Sequence, residues 1–223
     1  MSRAVTVLKK PRLARLYVSL YKTVIDLSVA ICTYNGRSRL SGLLNSLKQQ
    51  QTDCQWEVVV VDNNSDDGTA ELVHQYQVES TTLWRTDVPL RYCFEPQQGL
   101  AFARRCAVDN ISGTFIGFLD DDTIPDAGWV NAAVRFGQQH PNAGAYGSSI
   151  RGQYEVPPPT GFNRIACCLA VIDRGEMPFQ YSAKRGVLPA GAGMVIRRQA
   201  WLSQVPEIPQ LAGVCATSLK AKG

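Results

Sequence analysis

Histidine is almost absent from this chain of 223 residues: there are two, His74 and His140, and neither neighbours a cysteine. Seven cysteines occur, at Cys32, Cys54, Cys93, Cys106, Cys167, Cys168 and Cys215, and none forms a CxxC pair. A zinc site is therefore not expected, and an odd set of unpatterned thiols reads as reduced cysteines of a cytosolic protein. No apolar run approaches the roughly 18–20 residues of a membrane-spanning helix. There is no internal repeat and no low-complexity tract. The first 25 residues hold no acid at all, only Arg3, Lys9, Lys10, Arg12, Arg15 and Lys22. Setting those six aside leaves 17 basic residues against 19 acidic, so the body carries −2 within an overall +4. That excludes nucleic-acid binding by charge.

The first 26 residues thus form a basic N-terminal extension. Its stretch KKPRLARLYVSLYKTV mixes cations with Leu, Tyr and Val. It lacks the long apolar centre and small-residue cleavage site of a secretory signal. Two readings stand: a peripheral anchor on the anionic inner face of the plasma membrane, or a loose leader. The expected location is cytoplasmic in either case.

What is present is an alternating pattern. LSVAICT, from Leu27 to Thr33, is a strand-like apolar run. Leu40, Leu43, Leu44 and Leu47 then give a helical stripe over Arg37 to Gln50. Trp56 to Val61 is rich in valine on both faces, as a buried parallel strand requires. Further strands are predicted over Leu90 to Phe94, Phe115 to Leu119 and Ala143 to Ile150, with helices from near Thr69, over Leu100 to Asn110 and over Trp129 to Gln139. VPPPTG, Val156 to Gly161, fits neither element, and Ile165 to Ile172 reads as strand or helix. A last strand ends within Gly193 to Arg198, and a short helix begins at Gln199. The fold class is α/β: a Rossmann-like, mostly parallel sheet with helices on both faces.

Ligands of such sheets bind outside the carboxyl ends of the strands. Three polar clusters sit there: Thr33-Tyr34-Asn35, Asp62-Asn63-Asn64 and Asp120-Asp121-Asp122. Three adjacent carboxylates suit a hard divalent cation, Mg²⁺ or Mn²⁺, which takes oxygen ligands and substrate phosphates. Strand alternation would turn Asp120 and Asp122 to one ligand and Asp121 elsewhere. An acidic Asx-type turn is the plainer alternative. Asp62 can accept from a base or ribose, or can open a turn. Arg104 and Arg105 can meet phosphate or lie on the surface. Gly191 and Gly193 can let backbone approach a ligand, or simply make a turn.

Taken together, VAICTYNGRSRL, EVVVVDNNSDDGTAELV, GLAFARRCAV, GTFIGFLDDDTIPDAGWV and GAGMVIRRQAW resemble the family 2 glycosyltransferases, which have the GT-A fold. The resemblance covers about Leu27 to Leu202. The wording of PLRYCFEPQQGLAFAR, RIACCLAVIDRG and LPAGAGMVIRRQAW is similar to a cyanobacterial subgroup of hormogonium polysaccharide biosynthesis glycosyltransferases.

The resemblance implies a GT-A domain over residues 27–223 and inverting, metal-dependent transfer of a sugar. The donor would be a nucleotide-sugar, UDP-sugar by family default. The acceptor would be a growing polysaccharide or lipid-linked saccharide. By the same resemblance Thr33, Tyr34, Asn35 and Asp62 border base and ribose, with Arg104 or Arg105 and Asp121 beside them. Asp120 lies on the ribose side and shares the Mg²⁺ or Mn²⁺ with Asp122. Gly191, Ala192, Gly193 and Met194 border the sugar and acceptor. The base of such enzymes comes from a later Glu-Asp pair, whereas the last acidic residue here is Glu207. The expectation is a domain lacking its C-terminal part, with the catalytic base beyond Gly223. Two alternatives remain at this point: a non-catalytic nucleotide-sugar binder, and a haloacid-dehalogenase-like phosphatase. Against the phosphatase, Ile124 stands where Thr or Val is expected, and the aspartates come after three strand–helix units.

Overall fold

The computed structural model describes residues 24–78, 84–172, 175, 177, 179–182 and 189–206. The basic segment up to Lys22 and the chain after residue 206 lie outside this set, so the membrane and C-terminal expectations fall on residues not described. Strands and helices alternate as β1 (Leu27–Thr33), α1 (Arg37–Lys48), β2 (Trp56–Asp62), α2 (Thr69–Val78), β3 (Leu90–Phe94), α3 (Leu100–Asp109), β4 (Phe115–Asp120) and α4 (Trp129–Gln139). The short β5 (Ala145–Tyr146), then β6 (Met194–Arg197) and α5 (Arg198–Gln204), complete the order. Among the described residues no helix is long and apolar enough to cross a membrane.

The six strands form one sheet in the order β3-β2-β1-β4-β6-β5. The first four are parallel, and β6 runs antiparallel to both β4 and β5. Successive side chains of a strand point to opposite faces, which here divides the core in two. Val29, Ile31, Val58 and Val60 pack with Leu40, Leu43, Leu44 and Leu47 of α1, Val73 of α2 and Val130 and Val134 of α4. Ala30, Val59, Val61, Ile116 and Phe118 pack with Ala103, Ala107 and Val108 of α3 and with Trp201 of α5. Every residue of β2 is buried, which explains its unbroken valines.

Two expectations need correction. The strand predicted over Ala143 to Ile150 pairs only at Ala145–Tyr146. Beyond Tyr146 the pairing stops at Gly147, where a Cβ would stand 3.1 Å from the Tyr181 hydroxyl, and Ile150 then makes an isolated antiparallel bridge to Ile172. Residues 165–172 form neither of the regular elements considered. Two 3-10 turns, Phe162–Arg164 and Ala166–Leu169, precede that bridge, and the second ends at Ala170 in left-handed backbone, φ 57°.

At the amino edge of the sheet one buried carboxylate joins four segments. Glu57, 4% exposed, accepts from the Ser28 hydroxyl at 2.6 Å, the Ser112 N–H at 3.0 Å, the Ser112 hydroxyl at 3.2 Å and Arg91 at 2.7 Å. The Arg91 side is half open to water and contributes little. The fully buried Ser28 hydroxyl and the Ser112 donors at the sheet edge are what the carboxylate satisfies. Glu57→Ala should therefore lower stability by about 2–4 kcal/mol. A melting temperature lower by roughly 5–15 °C in a thermal scan would check it.

Candidate donor-binding site

The sheet register sets the site. Thr33 lies opposite Asp62 and Cys32 lies opposite Asp120, so the three polar strand ends reach the same edge side by side. The N-terminal end of α3 flanks them. There a cavity of about 440 Å³ is lined by residues that include Thr33, Tyr34, Arg39, Asn63, Gly99, Leu100, Asp120, Asp121 and Asp122. This volume falls within the range of small-molecule sites.

The three aspartates have different surroundings. β4 ends at Asp120, and Asp121 and Asp122 lie in a turn closed by the Thr123 N–H on the Asp120 carbonyl at 3.0 Å. Strand alternation therefore does not reach Asp122, and Asp121, which lines the cavity with its neighbours, is engaged by protein donors. Its carboxylate accepts from the Thr33 hydroxyl at 2.6 Å and bidentately from Arg39, Nε at 2.8 Å and Nη2 at 2.9 Å. That bond and charge hold the Arg39 guanidinium more firmly protonated than usual. Asp122 is exposed. Asp120 is half-buried, and burial pushes its carboxyl above the ordinary range; Arg104 opposes that shift, while Asp122 and Asp121 add to it.

Arg104, rather than Arg105, belongs to this corner. Its guanidinium stacks 5.3 Å over the Phe118 ring and acts electrostatically on Asp120. A Cβ on Gly191 would stand 2.7 Å from Arg104 Nη2 and 3.9 Å from Asp120 Oδ1, so glycine admits the backbone of that loop beside the pair. Arg105 instead pairs with Asp109 one turn along α3 at 3.1 Å. Of the remaining GAGM residues, Ala192 is buried, Gly193 donates its N–H to the Phe118 carbonyl at 2.9 Å, and Met194 opens β6.

Tyr34 is half-exposed at the cavity wall. Thr33 is buried and its hydroxyl is committed to Asp121. Asn35 adopts left-handed backbone and spends its side-chain carbonyl on the Asp66 N–H at 3.0 Å. Asp62 is 1% exposed and accepts from the Ser65 N–H and the Tyr92 hydroxyl, both at 2.9 Å. Burial and that bond hold the Tyr92 phenol protonated. Neither Asn35 nor Asp62 is among the lining residues; Asn63 is. The Asn63 amide donates to the Glu95 and Gln97 carbonyls and its oxygen accepts from the Gly99 N–H at 2.7 Å, which fixes the start of α3. Cys32 also lines the cavity, but burial pushes its thiol up to about 12, so no thiolate nucleophile stands there.

Sequence reasoning passed over Arg39. The available signal was its place in the first turn of the helix that follows β1, which points it at the carboxyl edge of the sheet.

The remaining charge favours a cation. Among the described residues Arg39 pairs with Asp121, and Arg104 acts on Asp120 while Arg39 also acts on Asp122. Among the described residues no group of three or more His, Cys, Asp or Glu side chains converges as a metal cage. One or two carboxylates sharing an ion with substrate phosphates is the usual arrangement for Mg²⁺, and the donor set present fits it.

The sheet order and the carboxyl-edge cavity define a GT-A glycosyltransferase fold. A crystal structure of S. aureus TarS 1–349 superposes with a TM-score of 0.61 at 22% identity, covering 82% of this chain and 51% of that one. TarS 1–349 in complex with UDP matches at 26% identity with a TM-score of 0.50, covering 61% and 38%. The model of glycosyl transferase family 2 matches residues 28–202, and the chain belongs to that family. It is 26% identical over 178 residues to the succinoglycan biosynthesis protein ExoM of Rhizobium meliloti (strain 1021), covering 78% of this chain and 55% of ExoM. It is 27% identical over 168 residues to the UDP-Glc:alpha-D-GlcNAc-diphosphoundecaprenol beta-1,3-glucosyltransferase WfgD of Escherichia coli, covering 69% and 63%. The chain thus spans less than two thirds of the length of these relatives.

Burial holds a proton on Asp120 more tightly in the folded state than in the unfolded chain. Ionising it therefore costs folding free energy, a cost absent below the ordinary carboxylate range that grows as pH rises through it. Asp120→Asn should melt higher than the parent at pH 7.5, with the gain shrinking as pH falls towards 4. Paired thermal scans at the two pH values check this.

Proposed function

We propose that the chain carries the donor-binding part of an inverting, metal-dependent glycosyltransferase that takes its sugar from a nucleotide-sugar, UDP-sugar by preference. The observation that carries this reading is the carboxyl-edge cavity in which, among the described residues, the Asp120 and Asp122 carboxylates accept no hydrogen bond while the Asp121 carboxylate accepts three. The UDP complex of TarS and the UDP-Glc in the name of WfgD support the choice of nucleotide. ExoM and WfgD support a growing polysaccharide or lipid-linked saccharide as acceptor. The gene-level role in hormogonium polysaccharide formation and a cytoplasmic site of action belong to the same reading.

In this scheme the open face of Tyr34 borders the base, and Asn63 holds the start of α3 against the ribose. Asp120 and Asp122 would hold Mg²⁺ or Mn²⁺. That ion would neutralise charge growing on the leaving diphosphate. Arg104, stacked on Phe118 and admitted beside Gly191, sets the field at Asp120 and keeps that carboxylate from facing the diphosphate unbalanced. The acceptor oxygen forms its bond to the anomeric carbon as the carbon–oxygen bond to the diphosphate breaks. The acceptor proton passes to a carboxylate base, and none of the described residues is assigned that role. A non-catalytic donor binder would use the same cavity without the transfer step. The phosphatase alternative is set aside, because the family model runs from β1 into α5 and the sheet order is that of GT-A.

Calorimetry with UDP and Mn²⁺ tests this reading. UDP binding should require the metal and should fall by about 100-fold or more in Asp122→Ala, since one carboxylate is a large part of the protein's share of the ion. Equal binding with and without Mn²⁺, or in the variant, would contradict it.

A further inference from the structure

We propose that Asp121 is a positioning residue, not a metal ligand: with Thr33 and Arg39 it forms a clamp that holds the two walls of the donor cavity in register. The proposal rests on the donor-site reading above and adds a division of labour within the aspartate triplet.

Sheet pairing between β1 and β4 stops at Cys32 opposite Asp120. The residues that line the cavity beyond that point, Thr33, Tyr34 and Arg39 on one wall and Asp121 and Asp122 on the other, are past the ladder. What joins them is the Asp121 side chain, through one hydroxyl and two guanidinium N–H bonds of 2.6–2.9 Å. These are short, charge-assisted bonds, and the Arg39 fork fixes orientation as well as distance. A carboxylate so engaged, and buried, has little left to offer an ion.

Gly36 supplies a separate observation. A Cβ there would collide with both the Thr33 hydroxyl and the Asp121 carboxylate. Its φ of −105° is open to any residue, so space and not backbone conformation calls for glycine. The loop between β1 and α1 is thus wrapped directly on the clamp. Asp120 and Asp122 flank Asp121 in sequence, so fixing the middle carboxylate fixes the turn that carries them.

The test uses Asp121→Asn and Arg39→Lys, singly and together, in the full chain. UDP affinity is measured with Mn²⁺ and with EDTA, and amide exchange is followed over residues 33–39 and 120–124. Outer-shell partners of metal sites typically change affinity 10- to 100-fold, and each single variant should weaken Mn²⁺-dependent UDP binding by roughly that factor. Every variant should still need the metal. The double variant should be within about twofold of the weaker single one, because both break one device. Exchange should quicken in the two segments and not in β2. Should Asp121→Asn not fold, Arg39→Lys carries the same comparison.

Three results would overturn the clamp: parent-like affinity in both variants; loss of metal dependence in Asp121→Asn with Arg39→Lys unaffected, which would make Asp121 a ligand; or fully additive losses. If the parent binds no UDP, the donor reading fails. The clamp is then decided by exchange, and unchanged exchange in the two segments overturns it.

Discussion

Everything at the functional edge depends on the parallel register of β1 with β2 and β4. Parallel strands joined by helices all present their carboxyl ends to one edge, and here the ends coincide residue for residue: Thr33 with Asp62, Cys32 with Asp120. The leucine face of α1 and the small residues of α3 hold the two faces of that sheet. A slip by one residue would exchange the core and solvent faces of a strand. The register is therefore as much a property of the site as of the core.

Once the ends are level, the problem becomes one of carboxylates close together. The fold settles them in different ways. Glu57 at the opposite edge and Asp62 at this one accept hydrogen bonds from protein donors. Asp121 is closed by Arg39 and Thr33. Among the described residues the Asp120 and Asp122 carboxylates accept no hydrogen bond, and Arg104 acts on Asp120 as Arg39 does on Asp122. On the proposed reading, a diphosphate arriving at this edge would meet that negative charge, and a divalent cation would resolve the conflict. Chemistry and stability thus compete at Asp120, whose ionisation the folded state resists.

Much of this was legible in the sequence. The valine run of β2, the leucine stripe of α1 and the turn residues after each strand specify the four parallel strands and their helices. Their periodicity reflects burial, which local sequence encodes directly. The structure places the aspartate triplet at the carboxyl-edge cavity and brings Gly191 of GAGM beside Arg104 and Asp120. Less legible were long-range partners. Nothing near Asp121 in sequence names Arg39, 82 positions away, and nothing beside Asp62 shows that Tyr92 seals it. Choosing Arg104 over Arg105 needed Phe118 and Gly191 in place. The segment after Tyr146 carries apolar residues of strand type, yet its pairing with β6 is confined to Ala145–Tyr146.

The central claim is that Asp122 and Asp120, and not Asp121, face a metal-bound nucleotide at this edge. A crystal structure of the chain with UDP and Mn²⁺, phased to show the manganese anomalous signal, tests it most directly. The account predicts one manganese peak within bonding distance of Asp122, with UDP beside Tyr34 and Asn63 and the Asp121–Arg39 pair intact. A manganese ion bound by Asp121 with Arg39 released, or UDP bound away from the strand ends, would contradict it.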